Sequence, residues 1–223
     1  MNENLVVISS LIKTSSDPLT YANIRSVYTH EQRFEQTLKT IESVRKHIPN
    51  AKIILIDCSE FTESEDIILK KSCDYLINVY QITEMQKIMR HGASKSLAEA
   101  TQTHIVIEYL INNNIQFKNF FKISGRYQLN KEFNYGLYDN DKNIGRMQPD
   151  MPTYFLTSFY KLNKDTLIEL NNMILNNLDA LKKGIPYEEF FRVFMNRCKN
   201  VEYLQVPIGI DEYISVNGEH RSH

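Results

Sequence analysis

The chain has 223 residues, of which 42% are hydrophobic, and its 26 Lys and Arg against 27 Asp and Glu leave a formal net charge of −1. That length and apolar content suit one substantial domain, and a near-neutral balance without a basic block argues against nucleic-acid binding through a broad electrostatic surface. Three widely spaced cysteines, Cys58, Cys73 and Cys198, lack CxxC spacing, which fits reduced thiols in a cytosolic protein and not a zinc cluster.

Leu5 to Ile12 reads as a first buried strand. It is far shorter than the roughly 20 residues needed to cross a bilayer, and no basic leader precedes it, so a soluble, cytoplasmic chain without a transmembrane segment is expected. Thr29 and Gln32 have capping-box spacing for a helix whose stripe is Phe34, Leu38, Ile41, Val44 and Ile48, stopped by Pro49-Asn50. A short apolar strand, Ile53 to Ile56, then closes on Asp57. Strand, helix, strand opens a βαβ unit, in which ligands gather outside the carboxyl ends of the strands.

Tyr75 to Val79 offers a third strand, after acids at Glu60, Glu63, Glu65 and Asp66 that read as a solvated face. His91 to Ser96 leads into a helix carrying Leu97, Ala100, Ile107 and Leu110, with Ser96 and Glu99 at capping-box spacing. The free amides around Ser94 to Ala98 either accept an anion or are simply capped. The apolar run Phe117 to Ile123 is the next strand, and it feeds Lys122-Ile123-Ser124-Gly125-Arg126-Tyr127.

Beyond Tyr127 the pattern is mixed. Ile144 to Gln148 and Tyr154 to Leu162 read as short strands, the second either covering a site or forming an antiparallel edge. Asn163 to Thr166 starts a helix through Leu167, Leu170, Ile174 and Leu178, and Gly184-Ile185-Pro186 separates it from another over about Tyr187 to Cys198. Residues 201–208 return to extended structure, and 217–223 are expected to be exposed.

Two cations at the mouth of a strand point to an anionic ligand, because an unpaired buried guanidinium costs several kcal/mol and a phosphate would satisfy it. Lys122 and Arg126 are therefore read as phosphate contacts, against a surface lysine and a structural ion pair as the plainer account. Gly125 fits a close backbone approach to a ligand or an ordinary loop. Asp57 ends the second strand and either hydrogen-bonds a ribose or base or caps a turn. Arg25, Tyr28 and Arg33 surround the first loop and helix start, with Tyr28 as a possible stacking surface. Glu188 and Glu189 open the helix after Pro186, and Asp211 and Glu212 form a second acidic pair. Either pair can supply a base, although adjacent helical residues diverge and at most one of Glu188 and Glu189 faces a reaction.

Asp139-Asn140-Asp141 has Asp-x-Asp spacing but sits in a turn-like context, and His220 and His223 lie near the end of the sequence, so no metal ligands are assigned. The chain lacks GxxxxGK, GxGxxG, Gly-x-Ser-x-Gly and His-Glu-x-x-His patterns, which removes support for the common ATPase, dehydrogenase, serine hydrolase and metalloprotease readings.

At Phe121 to Tyr127 the chain resembles a group of bacterial and large-virus glycosyltransferase-like proteins with a GT-A-type fold and a Lys-Ile-Ser-Gly-Arg-Tyr motif. Asn23 to Arg45 is similar to their first loop and helix, so the likeness covers about residues 1 to 160. The resemblance implies a three-layer α/β sandwich with a mostly parallel central sheet, built as a single domain over residues 1–223. About 1–127 would form a donor-nucleotide half and about 128–223 an acceptor half. It also implies transfer of a sugar from a nucleotide-sugar donor to a glycan or polysaccharide acceptor. Ser10, Arg25, Tyr28, Arg33, Asp57, Ser94, Lys95 and Gly125 would hold the donor. Lys122 and Arg126 would steady the departing diphosphate, while Glu188, Glu189 or Asp211 takes the acceptor proton.

The motif falls near the place where many GT-A enzymes carry a metal-binding Asp-x-Asp, and that acidic pair is absent here. The departure makes metal-independent catalysis plausible and puts a Mn²⁺ or Mg²⁺ requirement in doubt; no other cofactor is implied. Two alternatives stay open: an inactive glycan or nucleotide-sugar binding module, and a sugar nucleotidyltransferase, whose basic, glycine-rich loop is not apparent after Leu11. The oligomeric state is not legible.

Overall fold

The structure is a computed structural model that describes residues 4–223. In chain order, β1 (Asn4–Ser9), α1 (His30–His47), β2 (Ala51–Asp57), α2 (Glu63–Ser72) and β3 (Tyr75–Asn78) are followed by α3 (Thr83–Met89), α4 (Lys95–Asn112) and β4 (Asn119–Ser124). Four short strands then alternate with turns: β5 (Gln128–Leu129), β6 (Asn143–Gly145), β7 (Met147–Gln148) and β8 (Met151–Phe155). The chain closes with β9 (Phe159–Asn163), α5 (Lys164–Asn176), α6 (Leu178–Lys182), α7 (Tyr187–Met195), β10 (Val201–Tyr203), β11 (Ile210–Tyr213) and β12 (His220–Ser222).

Seven strands form the central sheet in the order β10-β6-β9-β4-β1-β2-β3, and β9 alone runs against the rest. Alternation along β1 explains the layering. Val6 and Ile8 join Ile53, Leu55, Phe121 and Ile123 in a core covered by Ile41 and Val44 of α1 and Leu69 of α2. Leu5 and Val7 join Ile54, Ile56 and Phe120 in a second core covered by Val106 and Leu110 of α4, Leu167 and Leu170 of α5 and Phe191 of α7. A sheet buried on both faces needs continuous apolar strands, which is how β1, β2 and β4 read.

Register sets the position of the cleft. Ser9 lies opposite both Ile56 and Ser124, so Ser10, Asp57 and Gly125 emerge together at the carboxyl edge. The turn before β9 arrives at that same edge, because β9 is antiparallel to β4. Tyr154 to Leu162 is thus not one strand: Leu156 to Ser158 divide β8 from β9, and β9 is interior to the sheet, not an edge.

Other boundaries also differ from expectation. The side chain of Thr29 does form the capping box with Gln32, but the cap of α4 is Ser94, not Ser96. Ser96 Oγ instead accepts from the Tyr187 amide at 3.1 Å, and Glu99 pairs with Lys122. Glu63, Glu65 and Asp66 form the first turn of α2, capped by Thr62 and Glu65, where carboxylates are stabilised by the positive end of the helix dipole. Residues 217–220 and 222 are exposed, as expected, but 220–222 pair as β12 with β11. Among the described residues no helix is long and apolar enough to cross a membrane.

Lys122 knits the frame together. It is 2% exposed, and its Nζ donates to Glu99 Oε1 of α4 at 2.5 Å, to the Thr157 carbonyl at 2.7 Å and to Ser124 Oγ at 3.1 Å. All three ammonium protons are used. Substituting Lys122→Met leaves the Glu99 carboxylate without its cation, and should lower unfolding free energy by about 3–5 kcal/mol, read by urea denaturation. A loss below about 1 kcal/mol would contradict this structural role.

Candidate active site

The carboxyl edge of the sheet opens into a cleft of two joined compartments. The inner one, about 120 Å³, is lined by the chain after β1 (Ser10, Leu11), by Arg25, Arg33, Lys95 and Arg126, and by Gln102 of α4. The outer one, about 400 Å³, is bounded by the N-terminal ends of α4 and α7, the β7–β8 turn and the last strands. Lys95, Glu99, Ser124 and Arg126 line both.

The inner wall is cationic, and the local fold explains why. Arg33 projects from the first turns of α1, is 4% exposed, and donates to the carbonyls of Leu11 and Ile12 and to Ser26 Oγ. Burial first and Arg126 second push its pKa down to about 9, so it stays charged at neutral pH. Arg25, 3% exposed, donates to the carbonyls of Asp17 and Gly92, tying the first loop to the entrance of α4; burial lowers its pKa. Lys95, at the first position of α4, donates to Ser215 Oγ at 2.6 Å and to the Arg25 carbonyl at 3.2 Å. Desolvation first, then the guanidinium groups of Arg126, Arg33 and Arg25, push it down to about 7.

Arg126 enters from the loop after β4. It donates to the Tyr213 carbonyl at 3.3 Å and lies over the Tyr127 ring, 5.5 Å from its centroid. Among the described residues none of these four cations is ion-paired to a carboxylate, and the one carboxylate between them, Glu99, is engaged by Lys122. Four like charges facing one small cavity repel each other unless an anion joins them.

Gly125 makes this approach possible. Its amide donates to the Ser9 carbonyl at 2.8 Å and its carbonyl accepts from Thr37 Oγ1 of α1. A Cβ there would lie 2.7 Å from Ser10 Cβ, so only glycine lets the Arg126 loop press against the end of β1.

Several expected contacts lie elsewhere. Lys122 is beneath the cleft floor, not in it, because residue parity in β4 turns it with Phe120 toward α4. Asp57 is wholly buried and accepts from Ser10 Oγ and from the Ile12 amide at 3.0 Å, so it organises the loop after β1 and does not line the cavity. Burial raises its pKa. Tyr28 packs beside Gly218, away from both compartments. Glu189 is exposed outside the cleft, and Asp211 is held by Asn130 and Ser222 on the outer side of β11. Asp139 to Asp141 lies at the amino edge of the sheet beside Lys118 and Lys161.

Besides Glu99, which Lys122 engages, the carboxylates that face the outer compartment are Glu188, Glu212 and Asp150. Glu188 has no ion-pair partner among the described residues, and burial, then the nearby Glu99, raises its pKa. Glu212 is 4% exposed and stands 3.3 Å from His223 Nε2, leaving its own Oε1 without a hydrogen bond. Sequence reading weighed Glu212 only as the neighbour of Asp211 and His223 only as a metal ligand that it did not assign, and passed over Tyr21. Parity was the missed signal, since Ile210 and Glu212 share the inward face of β11. Among the described residues no three His, Cys, Asp or Glu side chains converge into a cluster that could hold a metal ion.

No protein-family model and no curated protein sequence matches the chain. Solved structures do. Core-mannan synthase A (CmsA/Ktr4) from Aspergillus fumigatus, in its Mn/GDP form, superposes with a TM-score of 0.54 at 10% identity, covering 95% of this chain and 74% of that one. A glycosyltransferase involved in the glycosylation of the major capsid of PBCV-1 superposes with a TM-score of 0.51 at 12% identity, covering 91% and 81%. At these identities the likeness shows the fold, a GT-A-like three-layer sandwich with a mostly parallel central sheet.

The free Lys95 ammonium is lost as pH rises through about 7, so a bound anion should lose affinity there. Calorimetric titration of a nucleoside diphosphate from pH 6 to 9 should show weakening above about pH 7 relative to Lys95→Arg, whose guanidinium stays protonated. Parallel profiles for the two proteins would show that Lys95 does not contact the anion.

Proposed function

We propose that the protein is a glycosyltransferase that moves a sugar from a nucleotide-sugar donor to a hydroxyl of a glycan or polysaccharide. The observation that carries this reading is the juxtaposition of an unneutralised cation cluster with an unpaired, half-buried carboxylate, Glu188, across one cleft at the carboxyl edge of the sheet. The GT-A-like fold supports it.

In this reading the donor diphosphate lies between Lys95, which keeps one ammonium proton, and Arg126, whose one hydrogen bond is from Nε, while Arg25 and Arg33 supply field from the inner wall. Ser10, Ser94 and Gly125 shape the walls around it through backbone and small side chains. As the bond from the anomeric carbon to the diphosphate oxygen breaks, the electron pair leaves with the diphosphate, and the two cations stabilise that growing charge. An acceptor hydroxyl oxygen forms the new bond to the anomeric carbon, and its proton passes to Glu188. A raised carboxylate pKa makes Glu188 the stronger base once it is ionised. Direct displacement of this kind inverts the anomeric configuration. Residues 1–127 would then contribute chiefly to the donor side and 128–223 to the acceptor side.

Incubation with a panel of nucleotide sugars and glycan acceptors, with and without EDTA, should release nucleoside diphosphate together with a glycosylated product. Saturable donor binding without turnover would favour a binding module, and synthesis of nucleotide sugar from sugar phosphate and nucleoside triphosphate would favour a nucleotidyltransferase. Arg126→Ala should cut kcat by about 10²–10³-fold while leaving the unfolding transition nearly unchanged. Glu188→Gln should remove an acid limb of kcat that lies above the ordinary carboxylate range, because the base form is lost as pH falls through its raised pKa. Near-normal turnover in both variants would rule out these roles.

A further inference from the structure

Charge and polarity divide the cleft. The inner compartment holds Arg25, Arg33, Lys95 and Arg126 against one carboxylate that is already paired. The outer compartment adds three carboxylates, Glu188, Glu212 and Asp150, on its walls. Of its cations, Lys95 and Arg126 stand at the boundary shared with the inner compartment, where the diphosphate is placed, Arg221 is held by Glu219 at 2.9 Å, and His223 faces Glu212.

The rim of the outer compartment is apolar. Tyr21, Pro149, Met151 and Pro186 surround it, and Tyr21, at 61%, is the most exposed large hydrophobic residue among those described. Its position is fixed. Leu19 and Ala22 exchange backbone hydrogen bonds of 2.8 and 3.4 Å, and the Thr20 amide donates to the Ala93 carbonyl at 3.0 Å. The turn tip is therefore tied to the entrance of α4, and Leu19, 6% exposed, anchors it from below.

A sugar ring has an apolar CH face and a hydroxyl edge, and a rim of this composition matches both. A preformed aromatic covers the first, and carboxylates, which only accept, take hydrogen bonds from the second. We infer that the outer compartment is a subsite for a neutral sugar ring, laid against Tyr21 with its hydroxyl edge toward Glu188, and that it rejects uronates and phosphorylated or sialylated sugars. Repulsion from Glu188 and Asp150 supplies the discrimination. The assignment of this sugar as acceptor rests on the transferase reading; the binding itself does not require turnover.

Saturation-transfer NMR titration of neutral methyl glycosides and of the matching methyl uronides, with nucleoside diphosphate present, tests the inference. Neutral rings should bind at least about tenfold more tightly than the uronides. Tyr21→Ala should weaken the neutral ligands by about tenfold, Tyr21→Phe by no more than about twofold, and neither should alter nucleoside diphosphate affinity. Glu188→Gln should narrow the gap between neutral and anionic rings. Uronides binding as well as neutral sugars, absence of neutral-sugar binding, or an unaffected Tyr21→Ala protein would each overturn it. Sugar binding that follows the expected pattern without any transfer would instead refute the transferase reading and leave the subsite standing.

Discussion

The Lys122 ammonium sits where β4, α4 and the turn before β9 meet, and its three acceptors leave it no freedom. That contact determines more than stability. By engaging Glu99 it commits the one carboxylate that lies among Lys95, Arg126 and the inner wall, so the cleft keeps its positive field. By engaging the Thr157 carbonyl it fixes the turn through which β9 enters the sheet against the grain of its neighbours. A cation below the floor thus governs how cations above it are presented.

The rest of the cleft follows from a consistent division of labour. Buried guanidiniums from Arg25 and Arg33 hold backbone carbonyls, shaping the loop after β1 and the entrance to α4. Less constrained cations, Lys95 and Arg126, stand above them with hydrogen-bonding capacity to spare. Asp57 stabilises the same loop from inside, through Ser10 and the Ile12 amide. The arrangement is preorganised, and its electrostatic cost is borne by desolvation of Lys95 and Arg33.

Much of the frame was legible from apolar runs and caps. The strands ending at Ser9, Asp57 and Ser124 and the Thr29 cap follow from local sequence, and their shared edge follows from βαβ topology. Local pattern was weakest where tertiary contacts decide. Helix α2 buries only Leu69, so its stripe is faint against its acids, and Ser96 is drawn from capping into a bond with the Tyr187 amide. Within the cleft, residue type was easier to read than orientation. Lys122 carries the charge that suggested a ligand, yet strand parity sends it inward; Glu212 and not Asp211 shares the face of buried Ile210. Tyr21 sits in a turn with no periodicity, and its exposure arises from long-range clips to Ala93.

Lys95 Nζ meets Ser215 Oγ across 120 positions of chain, and Tyr187 reaches Ser96 across 91. Segments so distant close loops late in assembly, after the local βαβ units have formed. Mutual repulsion among the cleft cations therefore acts on the final docking step and not on the nucleus. An anion bound in the cleft would relieve that repulsion at the moment of closure, so occupancy of the site and stability of the closed fold are coupled.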